Sequence, residues 1–255
     1  MKVNAKMKSL SLAVVGLAGF AFAGSAMAQC PALPGAWSGQ SAAGGSLATT
    51  SPGFGGTNCK LDAQITANLG SASAFVRDDT PAAETRYRAQ FLINVDALTS
   101  LTATQVVRVF AAITDAPSSG VSELVRFAVY GNVTGTTKLL SVTTACSNNA
   151  TGRCSNSLTL SGGASGVHRV EIDWTQGTGL AGDGSGSGGV KVWLNNTTEA
   201  SPNVTVPANN TAWGGVDSAA LGLTQASPGF RTAQANRIVS FDQFDSRRST
   251  FIGSP

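Results

Sequence analysis

Along this chain apolar and polar residues exchange places with a period of two, and almost nowhere with the 3.6 of a helix. Between 85 and 95, Tyr87, Ala89, Phe91, Ile93 and Val95 alternate with Arg86, Arg88, Gln90 and Asn94, which predicts a strand with one buried face. Between 167 and 174, Val170, Ile172 and Trp174 turn one way and Arg169, Glu171 and Asp173 the other. From 190 to 195, Val190, Val192 and Leu194 alternate with Lys191, Trp193 and Asn195. The stretch 105–114 is apolar on both faces, as a central strand is. Further strands fit 60–66, 122–130, 138–144, 203–206, 218–224 and 237–244, and only 97–104 offers a short helical alternative.

Turn residues fill the intervals. A Gly-rich loop spans 176–189, and 30–58 is so rich in Pro, Gly and Ser that it predicts an irregular lead-in. Many short alternating strands between turns indicate an all-β, antiparallel sandwich or barrel. The expected organisation is a leader over 1–28, the lead-in over 29–58, and a single sandwich domain over 59–255.

The leader changes the charge argument. Lys2, Lys6 and Lys8 precede an apolar run at 10–22, and Ala26-Met27-Ala28 offers a small-residue cleavage site, the order of a bacterial secretory signal peptide. The chain has 17 Lys+Arg and 14 Asp+Glu, and the three leader lysines leave 14 of each sign in the exported part. No basic stripe remains for a nucleic acid, and no later apolar stretch is long enough to span a membrane.

Export also decides how the cysteines read. Cys30, Cys59, Cys146 and Cys154 form an even set in an oxidising compartment, which predicts two disulfides. Nearest-neighbour pairing gives Cys30–Cys59 and Cys146–Cys154, contributing about 3.5 and 2.5 kcal/mol on the loop-entropy model. With a single His168 and no C-x-x-C, zinc ligation is the weaker alternative.

One region resembles a known family. Between Gly166 and Asp245 the chain runs G-V-H-R-V-E-I-D-W, then G-V-K-V-W-L-N-N, S-A-A-L-G-L and I-V-S-F-D-Q-F. This is similar to the C-terminal half of a laminin G-like, concanavalin A-like jelly roll. Val167 stands where many relatives carry an aromatic, and Asn195-Asn196 replaces the usual Asp-Gly or Asn-Gly turn. The resemblance implies an antiparallel two-sheet jelly-roll sandwich, and it implies no particular ligand.

Chemistry has to be sought residue by residue. Glu171-Ile172-Asp173-Trp174-Thr175-Gln176 resembles the E-x-D-x-x-E motif of laminarinase-type β-glucanases. A retaining glycosidase needs two carboxyl groups about 5 Å apart. Here the last carboxylate is the amide of Gln176, which cannot act as the acid/base. No catalytic residue is therefore assigned. His168 falls on the core side and predicts a structural, hydrogen-bonded imidazole. Asp183, with Asp217 and Asn195, provides a weak calcium candidate at the rim.

The strand alternation suggests binding instead. Pairing 167–174 with 190–195 puts Arg169, Glu171, Asp173, Lys191 and an exposed Trp193 on one face, suited to stacking on a sugar ring and bonding its hydroxyls. The alternative is that a loop, or the segment carrying Trp37, covers Trp193. The expected function is an exported non-catalytic module binding a glycan or cell-surface ligand. A structural or adhesive surface protein and a degenerate glycosidase are the alternatives.

Overall fold

The structure, a computed structural model, describes residues 30–115, 122–145, 153–161, 163, 166–177, 188–208 and 214–253. The leader at 1–28 lies outside them, as do Cys146 and Asp183.

Two seven-stranded antiparallel sheets carry nearly all of the regular structure. The first runs, edge to edge, β1 (Gly39–Ser41), β4 (Ala74–Asp78), β13 (Ser218–Ala226), β6 (Val107–Ile113), β7 (Glu123–Gly131), β8 (Lys138–Ala145) and β9 (Arg153–Thr159). The second runs β12 (Val204–Ala208), β11 (Gly188–Leu194), β10 (Val167–Thr175), β5 (Arg86–Asn94), β14 (Val239–Arg247), β3 (Lys60–Ile65) and β2 (Gly45–Thr50). Half of the neighbouring strand pairs are consecutive in sequence, as in β6-β7-β8-β9, and the other half are distant, because the chain passes between the sheets.

The core follows from the alternation. Phe91 of β5, Phe241 of β14, and Phe110 and Phe127 of the opposite sheet are all fully buried. Phe91 lies 5.5 Å from Phe110, 6.3 Å from Phe127 and 6.4 Å from Phe241, ring centre to ring centre, so it joins the two sheets. Val170, Ile172 and Trp174 lie in this core, as the sequence pattern requires.

Elsewhere the pattern was less informative. The lead-in is not wholly irregular, since it contributes β1 and β2. Leu47 packs against the core from β2, but backbone pairing with β3 holds this small-residue strand in place. β9 is another edge strand, too rich in Ser and Asn to show a buried face beforehand. The helical alternative at 97–104 fails. Among the described residues the single helix, α1, is Pro228–Ala233, where Ser227 caps the N-terminus by accepting from the Phe230 N–H.

Cys30 and Cys59 are disulfide-bonded, tying the lead-in to the start of β3. Cys154 on β9 is also in a disulfide, while its expected partner lies outside the described residues. No helix among the described residues is long and apolar enough to cross a membrane.

Candidate functional site

The polar side of the second sheet is set by register. Trp193 on β11 stands opposite Glu171 on β10, and Glu171 opposite Gln90 on β5. One row along, Lys191, Asp173 and Arg88 align, and beyond them Gly189, Thr175 and Arg86. Period-two alternation across three antiparallel strands therefore gathers Arg86, Arg88, Gln90, Arg169, Glu171, Asp173, Lys191 and Trp193 on one face.

This face is not open to water at its centre, which corrects the expected exposure of Trp193. Trp193 has 0 % exposure, as has Glu171, while Arg88, Asp173 and Arg169 have 2, 5 and 8 %. The segment Phe251–Gly253, returning after β14, lies across them. The Ile252 and Gly253 N–H groups donate to the two Glu171 carboxylate oxygens at 2.9 and 3.0 Å, and Arg169 Nη1 donates to the Gly253 carbonyl at 2.8 Å. The Phe251 ring meets Trp193 edge-on at 5.4 Å, with the Arg88 guanidinium 5.4 Å from the Trp193 ring and 5.3 Å from the Phe251 ring. The Trp193 indole N–H donates to the Thr198 carbonyl at 3.1 Å. Trp37 takes no part, since it packs on Phe244 at 4.9 Å.

The charges beneath the segment are paired. Arg169 Nη1 lies 3.1 Å from Glu171 Oε2 and also bonds Gln90 at 2.8 Å. Asp173 receives Arg86 at 2.9 and 2.7 Å and Arg88 at 2.8 Å, and Arg88 reaches Glu199 at 2.9 Å on the rim. Three arginines thus meet three carboxylates, so the cluster is electrically neutral, as burial demands. Burial alone would push the Asp173 carboxyl up, but the hydrogen bonds and charges of Arg86 and Arg88 outweigh it and hold it below the usual carboxylate range. Burial pushes the Arg169 guanidinium down, against the opposing pull of Glu171.

Only the flank of this face is open. Lys191 is exposed, and with Arg86, Asp173, Thr175, Gly188, Thr205 and Pro207 it borders a groove of about 260 Å3. Of the expected binding set, Lys191 and Asp173 reach this groove, whereas Arg169, Glu171 and Trp193 belong to the covered cluster. Sequence reading singled out none of Arg86, Arg88, Glu199 or Phe251. Alternation did place the first two on the polar face of β5, but their meeting with Asp173 depends on β5 lying beside β10.

The remaining candidates have local duties. Asp217 accepts from the Ala83 N–H at 2.9 Å and the Asp115 N–H at 2.8 Å, pinning two loops together. Asn195, in the left-handed region at φ 53°, accepts from the Arg169 N–H at 2.9 Å and donates to the Ser161 carbonyl at 3.1 Å. The third member of the expected calcium set, Asp183, lies outside the described residues; among the described residues no group of three or more His, Cys, Asp or Glu could hold a metal.

His168 is a buried structural residue. Its Nδ1 lies 3.1 Å from the Asn195 amide nitrogen. The Asn195 oxygen is engaged by the Arg169 N–H, so that nitrogen is a donor and Nδ1 must accept, leaving the ring neutral with its proton on Nε2. Burial lowers the His168 pKa, outweighing the attraction of Asp96. A depressed folded value stabilises the protein above the unfolded value, about 6.5 for His, and that stability is lost as the pH falls through the folded value. Stability should therefore decline on acidification below about pH 6.5, with Asp173 adding its own loss below about pH 4. Urea unfolding across that range should show the first decline flattened in His168→Gln.

No protein-family model matches the chain, and no curated protein matches it. Solved structures do. A double mutant of the alginate lyase Aly36B in complex with alginate trisaccharide is similar at 12% identity, over 75% of this chain and 82% of that one, with a TM-score of 0.51. A marine PL-14 alginate lyase from Aplysia kurodai is similar at 11% identity, over 80% and 87%, with a TM-score of 0.50. This chain is a jelly-roll sandwich. The polar face described above is the outer side of one of its two sheets.

Proposed function

We propose that this is an exported, non-catalytic carbohydrate-recognition protein of the laminin G-like, concanavalin A-like kind. Its glycan lies in the groove beside β10, β11 and β12. The observation that carries the reading is the groove itself: Lys191 and Arg86, the Asp173 carboxylate and the Thr205 hydroxyl converge there. A sugar's hydroxyls both donate and accept, so a groove offering donors and acceptors together suits it better than a single-sign surface would. The leader at 1–28 and the Cys30–Cys59 bridge favour an oxidising, extracytoplasmic location.

The carboxylates of the glycosidase-like motif are committed elsewhere. Glu171 accepts two backbone N–H groups and Arg169, and Asp173 accepts Arg86 and Arg88. With Gln176 in the acid/base position, neither a nucleophile nor a proton donor is free. Incubation with β-glucans or galactans should release no reducing ends above buffer. Turnover abolished by Glu171→Gln would overturn this part of the reading.

A glycan array probed with the exported chain, with and without calcium, tests the binding claim. The expected result is a glycan retained by the native chain and lost by Lys191→Ala. An array on which Lys191→Ala changes nothing would remove the groove from the function.

A further inference from the structure

Beneath Phe251–Gly253 the buried cations are not fully satisfied. Arg88 Nε and Nη1 and Arg169 Nη2 have no hydrogen-bond partner, although these side chains are only 2 and 8 % exposed. Buried guanidinium donors are costly to leave unmet, and a segment serving purely as a plug would be expected to meet them. The segment supplies two N–H donors, one carbonyl acceptor and one ring, and no oxygen to receive the three unpartnered guanidinium nitrogens.

The contacts it does make have the chemistry of a sugar. Two adjacent N–H groups bond the two oxygens of one carboxylate, as two neighbouring hydroxyls of a pyranose do. An acceptor meets Arg169 beside them, and an apolar ring lies against Trp193. A pyranose brings the same set, a vicinal diol, an acceptor and a C–H face, with further oxygens for Arg88 and Arg169. Gly253 makes the imitation possible. Its φ of +70°, open to glycine and strained for other residues, turns the chain so that its N–H and carbonyl both face the cluster.

We propose that Arg88, Gln90, Arg169, Glu171 and Trp193 form a saccharide subsite for a pyranoside bearing a vicinal diol, which Phe251–Gly253 occupies as an intramolecular surrogate until a ligand displaces it. This deepens the proposed function and rests on it, extending recognition from the open groove to the covered centre of the same face. Displacement exchanges three hydrogen bonds and a ring contact for a larger set. Affinity is reduced by the fraction of time the segment is closed.

The test compares the exported chain with a version ending at Arg248. Cellotetraose and mannotetraose are titrated by calorimetry and by tryptophan fluorescence. The shortened chain should bind at least one of them about tenfold or more tighter, with Trp193 emission changing on binding. A second variant, Ile252→Pro, deletes the N–H that Glu171 Oε1 accepts while keeping the Phe251 ring, and should move affinity the same way.

Equal affinity in all three proteins overturns the surrogate, as does no binding by either altered protein. A shortened chain that cannot fold overturns it too, because a cover that cannot leave cannot be exchanged. A groove ligand from the array, lost in Lys191→Ala but bound equally by the full and shortened chains, would leave the recognition function standing while the covered subsite falls.

Discussion

Trp193→Ala should destabilise the protein by about 3–5 kcal/mol, as much as Trp174→Ala on the opposite face of the same sheet. Alternation alone assigns Trp193 to the polar side and predicts a cheap substitution. In the structure it has 0 % exposure, its ring packed against both the Arg88 guanidinium and the Phe251 ring, and its indole N–H is bonded to the Thr198 carbonyl. Truncation would empty that volume, free the Thr198 carbonyl and remove one of the two aromatic rings beside a buried cation. Urea unfolding of the two variants beside the native chain measures both losses. Should Trp193→Ala cost under about 1 kcal/mol while Trp174→Ala costs the full amount, the cover over the sheet would be open in solution.

Glu171→Ala should cost about as much, 3–5 kcal/mol, for an electrostatic reason. Glu171 has 0 % exposure and accepts from Arg169 at 3.1 Å and from the Ile252 and Gly253 N–H groups at 2.9 and 3.0 Å, with Arg88 at 3.9 Å. Removing it strands a positive charge in a dry setting and orphans two backbone donors. The double variant Arg169→Met with Glu171→Leu removes charge of both signs together, so it should recover part of that loss. Denaturation midpoints for the single and double variants decide the matter. A double variant less stable than Glu171→Ala would show that packing, rather than the unpaired charge, dominates.

The longer strands, and which side of each is buried, are legible in the sequence. Period-two runs such as Tyr87-Ala89-Phe91-Ile93 are legible because a strand points successive side chains to opposite sides, whatever it pairs with. The inward positions of Trp174 and His168 follow from that local rule, and the Cys30–Cys59 bridge from nearest-neighbour pairing in an oxidising compartment. Edge strands such as β9, and β2 with its small residues, escaped it because backbone pairing sustains them without the long alternating apolar run that marks β5.

The fate of the polar face is not written in any one strand. Alternation says which side of a sheet a residue occupies, but not whether another part of the chain returns to cover that side. The burial of Trp193, Arg169 and Glu171 depends on Phe251–Gly253, which follow β14, and β14 lies beside β5, on the far side from β10 and β11. The meeting of Asp173 with Arg86 and Arg88 likewise requires β5 to lie next to β10, although the two are separated in sequence by four strands of the opposite sheet and the turns between them. Such non-local pairings are chosen by the burial of the whole core, so a local window holds no signal for them. The charged residues that alternation leaves on the polar face are, in the folded chain, a neutral cluster under a strap, with Lys191, Arg86 and Glu199 facing water at its edge.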